Sequence, residues 1–400
     1  MAVNNSSSEK LGLKELVTMG VGGMVGGGIF SVPGLSVGMA GHAAPIAFAL
    51  GGIIALLTGY SYPKLGLAFR SDGGSFTYLE KSVKSKNVAA VGGWLLLVGY
   101  IGTLALYAFT FGVYGAAMFG HTPYTNAIHH FLETFVLILF LGINLYGIKA
   151  AGNTEVLIVL TKVINLSLFA GVGLFYINES YLLPVFNKGE LGVLMGAALI
   201  FVAYEGFELI PNAINEMKNP EKNLPKIILI SIIITIVIYI LVSVVAVGNL
   251  PGNKIAEYKE YALAEAAKPF LGQAGFLMIG LGALLSTASA INATLFGTAR
   301  LGMVRAQNKA LPNLFSFRER GKNIPWVSLL AITSITIAFV NVTDLTIISS
   351  FASSTFLLIF VFINLAAIRL RKEIHNQVIY PFLGLILSLI AWIVLISYMY

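Results

Sequence analysis

The chain has 400 residues, of which 57% are hydrophobic and only 11% are charged. This composition excludes an ordinary soluble domain, which needs far more charged surface at this length. The absence of cysteine excludes a disulfide framework, and the net charge of +7 does not indicate nucleic-acid binding, because membrane topology accounts for it.

Long apolar stretches follow one another along the chain. A stretch of about 18 or more apolar residues predicts a transmembrane helix. We predict eleven spans, at roughly 13–39, 43–68, 89–118, 130–148, 152–177, 190–217, 225–249, 270–304, 325–341, 344–369 and 377–399. The sequence therefore predicts an all-α polytopic membrane protein, with a tail at 1–10 and a single transmembrane domain at 11–400.

The basic residues indicate how these spans are oriented. Most of the 25 Lys and Arg residues fall in alternate loops, with clusters at 81–86, 218–226, 300–322 and 369–372. Loops rich in Lys and Arg stay in the cytoplasm. We therefore expect a multi-pass protein of the cytoplasmic membrane with a cytoplasmic N-terminus, and eleven spans would leave the C-terminus outside.

Two of the predicted spans contain helix-breaking residues. The first span carries Gly26, Gly27 and Gly28 in succession, and the sixth carries Glu205 and Gly206 in mid-span. Close helix packing explains small residues spaced by four, but it explains three adjacent glycines less well. Irregular backbone at membrane depth is tolerated where it lines a cavity or is buried in protein. We therefore predict an unwound segment in each span.

The two breaks occupy corresponding positions, in the first helix of two five-helix blocks at about 13–177 and 190–369, followed by an extra helix at about 377–399. Such pairing indicates an inverted-repeat transporter with a site near the bilayer midplane. Unpaired amides at a half-helix N-terminus attract an anion, and unpaired carbonyls attract a cation. An α-amino acid carries both groups and suits both ends.

Lys162 lies near the middle of the apolar run 155–176. A charged side chain at that depth costs between ~2.5 and ~17 kcal/mol, depending on the reference state. Two interpretations remain open. Lys162 either gains and loses a proton during a functional cycle, or it is held in a static hydrogen-bond network.

Four segments together resemble the amino acid–polyamine–organocation (APC) superfamily. They are Gly26–Phe30 with Pro33, Tyr204–Glu208 with the loop to Pro225, Ala262–Gly272, and Ser289–Ala293 continuing to Pro312. The resemblance covers about residues 10 to 370. It implies a LeuT-type fold of ten core helices with broken helices 1 and 6, and secondary transport of amino acids. The superfamily usually has twelve spans, whereas we predict eleven.

The resemblance also implies a set of binding residues. Amides of the Gly26–Gly28 segment, chiefly those of Gly27 and Gly28, would hold the substrate carboxylate, and the carbonyls of Met24, Val202 and Glu205 would receive its ammonium. The implied pocket side chains are Val98, Gly99, Thr103, Tyr204, Phe207 and Asn292. Lys162 would contact the carbonyl of Gly23 or a neighbour and the hydroxyls of Ser286 and Ser289, at the place where sodium-coupled members of this fold bind a cation.

Several alternatives remain open. Tyr204 and Phe207 are pocket aromatics or ordinary packing residues. Glu205 counters a cationic substrate, pairs with the substrate ammonium, or hydrogen-bonds locally as a neutral acid, whereas Glu208 fits a structural hydrogen bond better. Amino-acid substrate and protons are the expected partners, with no cofactor, no metal and no catalytic set. An exchanger of amino acids or polyamines without net proton coupling is the alternative function, and a channel is disfavoured because too few polar positions line the spans.

Overall fold

The computed structural model describes residues 12–70, 74–82, 86–120, 122–147, 152–307, 311–318 and 324–399. The predicted tail at 1–10 lies outside the described residues. Almost all of the described backbone is helical, which confirms the all-α fold class. The α-helices are α1 (Leu13–Met24), α2 (Gly28–Ala40), α3 (Ala44–Gly59), α4 (Ser61–Phe69), α5 (Gly74–Ser82), α6 (Lys86–Met118), α7 (Thr125–Tyr146), α8 (Gly152–Gly173), α9 (Gly189–Leu199), α10 (Pro220–Asn249), α11 (Gly252–Tyr258), α12 (Ala262–Gln307), α13 (Trp326–Val342), α14 (Leu345–Arg369) and α15 (Ile379–Met399).

Short 3-10 helices join several of these elements. Two of them, Phe201–Tyr204 and Phe207–Glu216, follow α9 directly and form the second half of the predicted sixth span. The others are Gly41–Ala43, Leu174–Tyr176, Glu179–Tyr181 and Asn313–Ser316. The predicted sixth span is therefore helical on both sides of residues 205–206, with a tighter 3-10 backbone after α9.

Long apolar helices in the described residues fit a membrane-spanning architecture. Eight are long and apolar enough to cross a bilayer, or nine if the bent pair Gly189–Leu199 and Phe201–Pro211 is one span. This count takes Gly28–Phe69 as a single stretch, whereas the sequence analysis divides it between two spans. Trp326–Val342, at 17 residues, falls just below the length required. The polytopic class is confirmed, and the number of eleven spans stays a prediction.

A kink at Gly272 divides the longest helix, α12, into two parts. Gly272 in α12 has φ +60° and ψ −152°, which is a backbone conformation that glycine adopts easily and other residues do not. The kink separates a short segment, 262–271, from a long helix, 273–307. This boundary agrees with the sequence analysis, which predicts a span beginning near residue 270.

The helices around the two breaks pack closely on one another. α1 lies along α10, α2 packs on α9, and α6 runs between α12 and α14. The buried apolar side chains of these helices form one connected core. Both breaks consequently sit inside protein, where irregular backbone can find polar partners.

Candidate functional site

The first break separates α1 from α2. After Met24 the helix stops, and the amide of Gly26 donates to the Met24 carbonyl at 2.7 Å in a tight turn. The chain becomes helical again at Gly28, so the first amides of α2 have no acceptor within their own helix. The predicted unwound segment in the first span is therefore present, with a helix N-terminus pointing into the protein interior.

Glycines at this break allow an aromatic ring to approach the backbone. A Cβ at Gly26 would lie 2.9 Å from the Tyr107 hydroxyl oxygen, and a Cβ at Gly27 would lie 2.7 Å from the Tyr107 ring. A Cβ at Gly27 would also lie 2.9 Å from the Thr287 methyl group. Tyr107 on α6 and Thr287 on α12 thus face the turn directly.

The second break lies between the two 3-10 helices after α9. Glu205 has an extended backbone and Gly206 has φ +110°, which strongly favours glycine. The helical axes on the two sides of the break differ by 50°. Glu208 stabilises this turn, because its carboxylate accepts from the Gly206 amide at 2.6 Å and from the Tyr100 hydroxyl at 3.3 Å.

The two breaks are in direct contact. A Cβ at Gly206 would lie 2.7 Å from the carbonyl of Gly23, and a Cβ at Gly28 would lie 2.9 Å from the Cα of Ala203. The Tyr239 hydroxyl on α10 lies 2.7 Å from the Met24 carbonyl and 2.9 Å from the Ala203 carbonyl. Its single proton is therefore shared between two carbonyls, one from each broken segment.

Side chains from two other helices hold the carbonyls of the first break. Lys162 on α8 is only 2% exposed, and its Nζ donates to the Gly22 carbonyl at 2.6 Å. Ser286 on α12 donates to the Val25 carbonyl at 2.9 Å. The sequence analysis named the carbonyl of Gly23 or a neighbour as the Lys162 contact. The carbonyl in contact is that of the neighbour, Gly22.

The other residues predicted around this cation position lie differently. Gly23 faces the backbone of Gly206, and Ser289 is half-buried one turn beyond Ser286. The serine that bonds a break carbonyl is thus Ser286. The choice between these two serines depends on how α12 is rotated, which sequence spacing alone does not define.

Glu205 lies beside the second break and is almost completely buried at 3% exposed. The Thr103 side chain on α6 lies beside this carboxyl. The Thr103 hydroxyl also lies 3.2 Å from the Gly99 carbonyl one turn earlier. Of the predicted pocket residues on the third span, Thr103 therefore reaches the break, while Gly99 faces the α14 residues Thr355 and Phe356 and Val98 is half-buried.

Two predicted pocket side chains make packing contacts in this structure. The Tyr204 hydroxyl donates to the Phe48 carbonyl at 2.7 Å, so its ring points towards α3. Phe207 packs its ring against Tyr62 and Phe360, with centroids 5.3 Å away in each case. For both residues the packing alternative describes the observed contacts.

Asn292 also points away from the breaks. Its side-chain oxygen accepts from Asn144 on α7 at 3.0 Å, which places it at the interface between α7 and α12. Val202 keeps its place at the second break, where its amide donates to Ser353 on α14 at 2.9 Å. On α12, Ser286 and Thr287 face the first break, and Asn292 does not.

The sequence analysis missed Tyr107, Tyr239, Thr287 and Ser353 as residues of this site. Their contacts arise from helix packing across the fold. The chain contains 17 tyrosines, and nothing in the local sequence distinguishes these two from the others. Hydroxyl side chains in apolar helices are also common and usually bond the preceding turn, as Thr287 itself does with the Ala283 carbonyl at 2.7 Å.

Broken, buried helices in a multi-span helical protein are typical of membrane transport proteins. The comparisons agree, because the sequence model of the family described as amino acid permease matches residues 11–400. The chain therefore belongs to the amino acid permease family, within the APC superfamily that the sequence resembles.

Named relatives support this assignment over nearly the whole chain. An uncharacterized protein of Methanocaldococcus jannaschii is 34% identical over 96% of this chain and 89% of its own length. The methylthioribose transporter of Bacillus subtilis is 27% identical over 94% of this chain and 84% of its own. The serine/threonine exchanger SteT of Bacillus subtilis is 27% identical over 96% and 89%.

Proposed function

We propose that this protein imports amino acids across the cytoplasmic membrane by alternating access, coupled to protons. Membership of the amino acid permease family supports an amino-acid substrate, as does similarity to a relative named as a serine/threonine exchanger. The proposed architecture is a LeuT-type inverted repeat at about 13–177 and 190–369, with a cytoplasmic N-terminus. The paired breaks in α1/α2 and in Glu205–Gly206 support that architecture.

The proposed substrate site uses backbone groups of both breaks. Amides of Gly27 and Gly28 at the start of α2 bind the carboxylate, where the helix dipole favours negative charge. Carbonyls of Met24, Val202 and Glu205 bind the ammonium. The Met24 carbonyl already accepts from Gly26 and Tyr239, so substrate binding exchanges one of these hydrogen bonds for a charge-assisted one.

The observation that carries the coupling proposal is the Lys162 contact with Gly22. A protonated amine donates a charge-assisted hydrogen bond to that carbonyl, and a neutral amine donates a weaker one. Loss of the proton therefore weakens the attachment of α1 to α8 just before the break. A change in that attachment shifts the balance between conformations, and by linkage substrate binding and proton binding then influence each other.

An exchanger is the second candidate, and the relative named as an exchanger favours it. In an exchanger, Lys162 is a fixed charge that keeps α1 and α8 together in every state. Proton coupling and exchange make different demands on Lys162, so transport assays can separate them.

Uptake by purified protein in proteoliposomes tests the proposed function. Radiolabelled amino acids are supplied in sodium-free buffer, with and without an inward proton gradient, and with empty or amino-acid-loaded vesicles. Proton symport predicts accumulation in empty vesicles that the gradient stimulates and a protonophore abolishes. Uptake that requires loaded vesicles and ignores the gradient establishes exchange, and absence of uptake for all amino acids contradicts the substrate class.

A further inference from the structure

Three side chains of the types that coordinate metal ions lie on one turn of α7, away from the breaks. His129, His130 and Glu133 present ligand atoms that all lie within 4.8 Å of one another. His129 Nε2 is 3.1 Å from one Glu133 carboxylate oxygen, and His130 Nδ1 is 2.7 Å from the other. Glu133 is fully buried, so a carboxylate is held between two imidazoles in a largely apolar helix.

One pair of atoms in this cluster is not hydrogen-bonded. His129 Nε2 and the neighbouring Glu133 oxygen are buried, and neither has a hydrogen-bond partner among the described residues. Their 3.1 Å separation is short enough for a hydrogen bond, but the carboxylate oxygen lies off the direction in which the ring nitrogen donates. Buried polar atoms without partners are costly, and a bound cation is one physical reason for their persistence.

The separation of these two atoms suits a shared metal ion. Imidazole nitrogen and carboxylate oxygen bind Zn²⁺ at about 2.0–2.2 Å. An ion at such distances from both atoms subtends an angle of roughly 95–100° between ligands 3.1 Å apart. That angle lies within the range found in four- to six-coordinate metal sites. An ion placed in the ring plane lies along the direction of the His129 Nε2 lone pair, whereas the Glu133 oxygen lies off that direction.

Neighbouring helices fix the His129 ring. Phe109 on α6 meets it edge to face with centroids 4.6 Å apart. Gly112, one turn further along α6, makes room for it, because a Cβ there would lie 2.5 Å from His129 Cδ2. A ring held in this way is preorganised, which reduces the entropy lost when a ligand binds.

A second carboxylate lies on another element. Glu260, in the loop between α11 and α12, interacts electrostatically with His129. The loop is anchored close by, because the Lys259 Nζ donates to Thr346 on α14 at 2.9 Å. An ion at the cluster therefore has a second carboxylate within its electrostatic reach.

We propose that His129, His130 and Glu133 form a binding site for a divalent transition metal such as Zn²⁺, with the Glu260 carboxylate of the adjoining loop adding negative charge nearby. Imidazole ligands suit Zn²⁺, Cu²⁺ and Ni²⁺ better than Mg²⁺ or Ca²⁺. This proposal depends on neither the transported substrate nor the coupling ion.

Zinc titration of the full-length purified protein tests the site, with a histidine-free affinity tag and a fluorescent chelator as competitor. We expect one micromolar or tighter Zn²⁺ site per chain, weakened at least tenfold in H130N and in E133Q and less in E260Q. His130 is about half exposed, so H130N avoids the folding risk of replacing buried Glu133. The matched control is H42N, because His42 lies elsewhere and bonds the Pro184 carbonyl.

Two results would overturn the metal site. One is the absence of a micromolar site in the unmodified protein. The other is a site whose affinity is unchanged in both H130N and E133Q. Co²⁺ substitution gives a second readout, because nitrogen ligation alters the visible absorption of the ion, and H130N should change that spectrum while H42N leaves it as it is.

Discussion

The two breaks at the centre of the molecule are held in different ways. The second break has a carboxylate of its own segment, Glu208, which accepts from the Gly206 amide two residues earlier, in addition to contacts from Tyr239 and Ser353 on other helices. In the first break, Ser31 on α2 donates to the Gly27 carbonyl at 3.1 Å, and the described residues of that segment supply no carboxylate to the turn. Its carbonyls are held by Lys162 from α8, Ser286 from α12 and Tyr239 from α10.

This difference indicates which break is able to respond. A turn stabilised by its own residues keeps its shape when neighbouring helices move, whereas a turn held by other helices changes when those helices move or change charge. Lys162 attaches the first break to α8, so a change in its charge acts on α1 directly, whereas the Glu208 carboxylate belongs to the second break itself. We therefore assign the conformational response to α1 and α2, and a more constant role to the segment around Gly206.

Substitution of Gly206 should have the largest effect. G206A places a Cβ 2.7 Å from the Gly23 backbone and forces alanine to φ +110°, which costs about 1–2 kcal/mol before the clash is counted. We expect transport to fall below a hundredth of the unmodified rate at equal protein in proteoliposomes.

The matched control is G142A on α7, where a Cβ would meet no atom within 4 Å. This variant should transport normally and keep its thermal unfolding midpoint. If G206A transported as well as G142A, the close contact between the two breaks would be absent from the working protein.

Glu208 should have an intermediate effect. E208Q keeps an oxygen for the Gly206 amide but removes the charge that strengthens this bond and the one from Tyr100. We expect a loss of about 1–3 kcal/mol in stability, measured as a lower thermal unfolding midpoint, with a smaller change in KM. E265Q on α12 is the control, since Glu265 pairs with Lys268 outside the breaks. Equal thermal unfolding midpoints for E208Q and E265Q would contradict the stabilisation of the second break by Glu208.

Ser286 and Ser289 should show the smallest effect, and together they establish the register of α12. S286A removes the hydrogen bond to the buried Val25 carbonyl, which costs about 1–3 kcal/mol if the carbonyl stays unpaired. We expect KM or the uptake rate to worsen up to about tenfold in S286A, and less than twofold in S289A. The reverse order would mean that α12 is shifted along its axis by about one turn relative to this structure, so that Ser289 takes the place of Ser286.

Much of this arrangement could be predicted from sequence because it violates ordinary helix chemistry locally. Three adjacent glycines, two carboxylates in mid-span and a lysine among apolar residues are each recognisable without a fold. The breaks and the buried lysine were predicted for this reason, and the all-α polytopic class is confirmed.

What sequence could not provide is the rotation of each helix. Successive residues on a helix point about 100° apart, so an uncertainty of one residue changes which group faces the site. Asn292 was predicted for the pocket and instead bonds Asn144, whereas Thr287 faces Gly27. Tyr239 reaches two carbonyls from α10 by packing alone, and no local pattern marks it.

Lys162→Ala is the most direct test of the account, with T161A as control on the same helix, because Thr161 is exposed and bonds the Leu157 carbonyl. The measurement is amino-acid accumulation driven by a proton gradient, set against counterflow in loaded vesicles without a gradient. The account predicts that K162A loses gradient-driven accumulation but still exchanges amino acids, while T161A does both. Undiminished gradient-driven accumulation in K162A would contradict the assignment of proton coupling to Lys162.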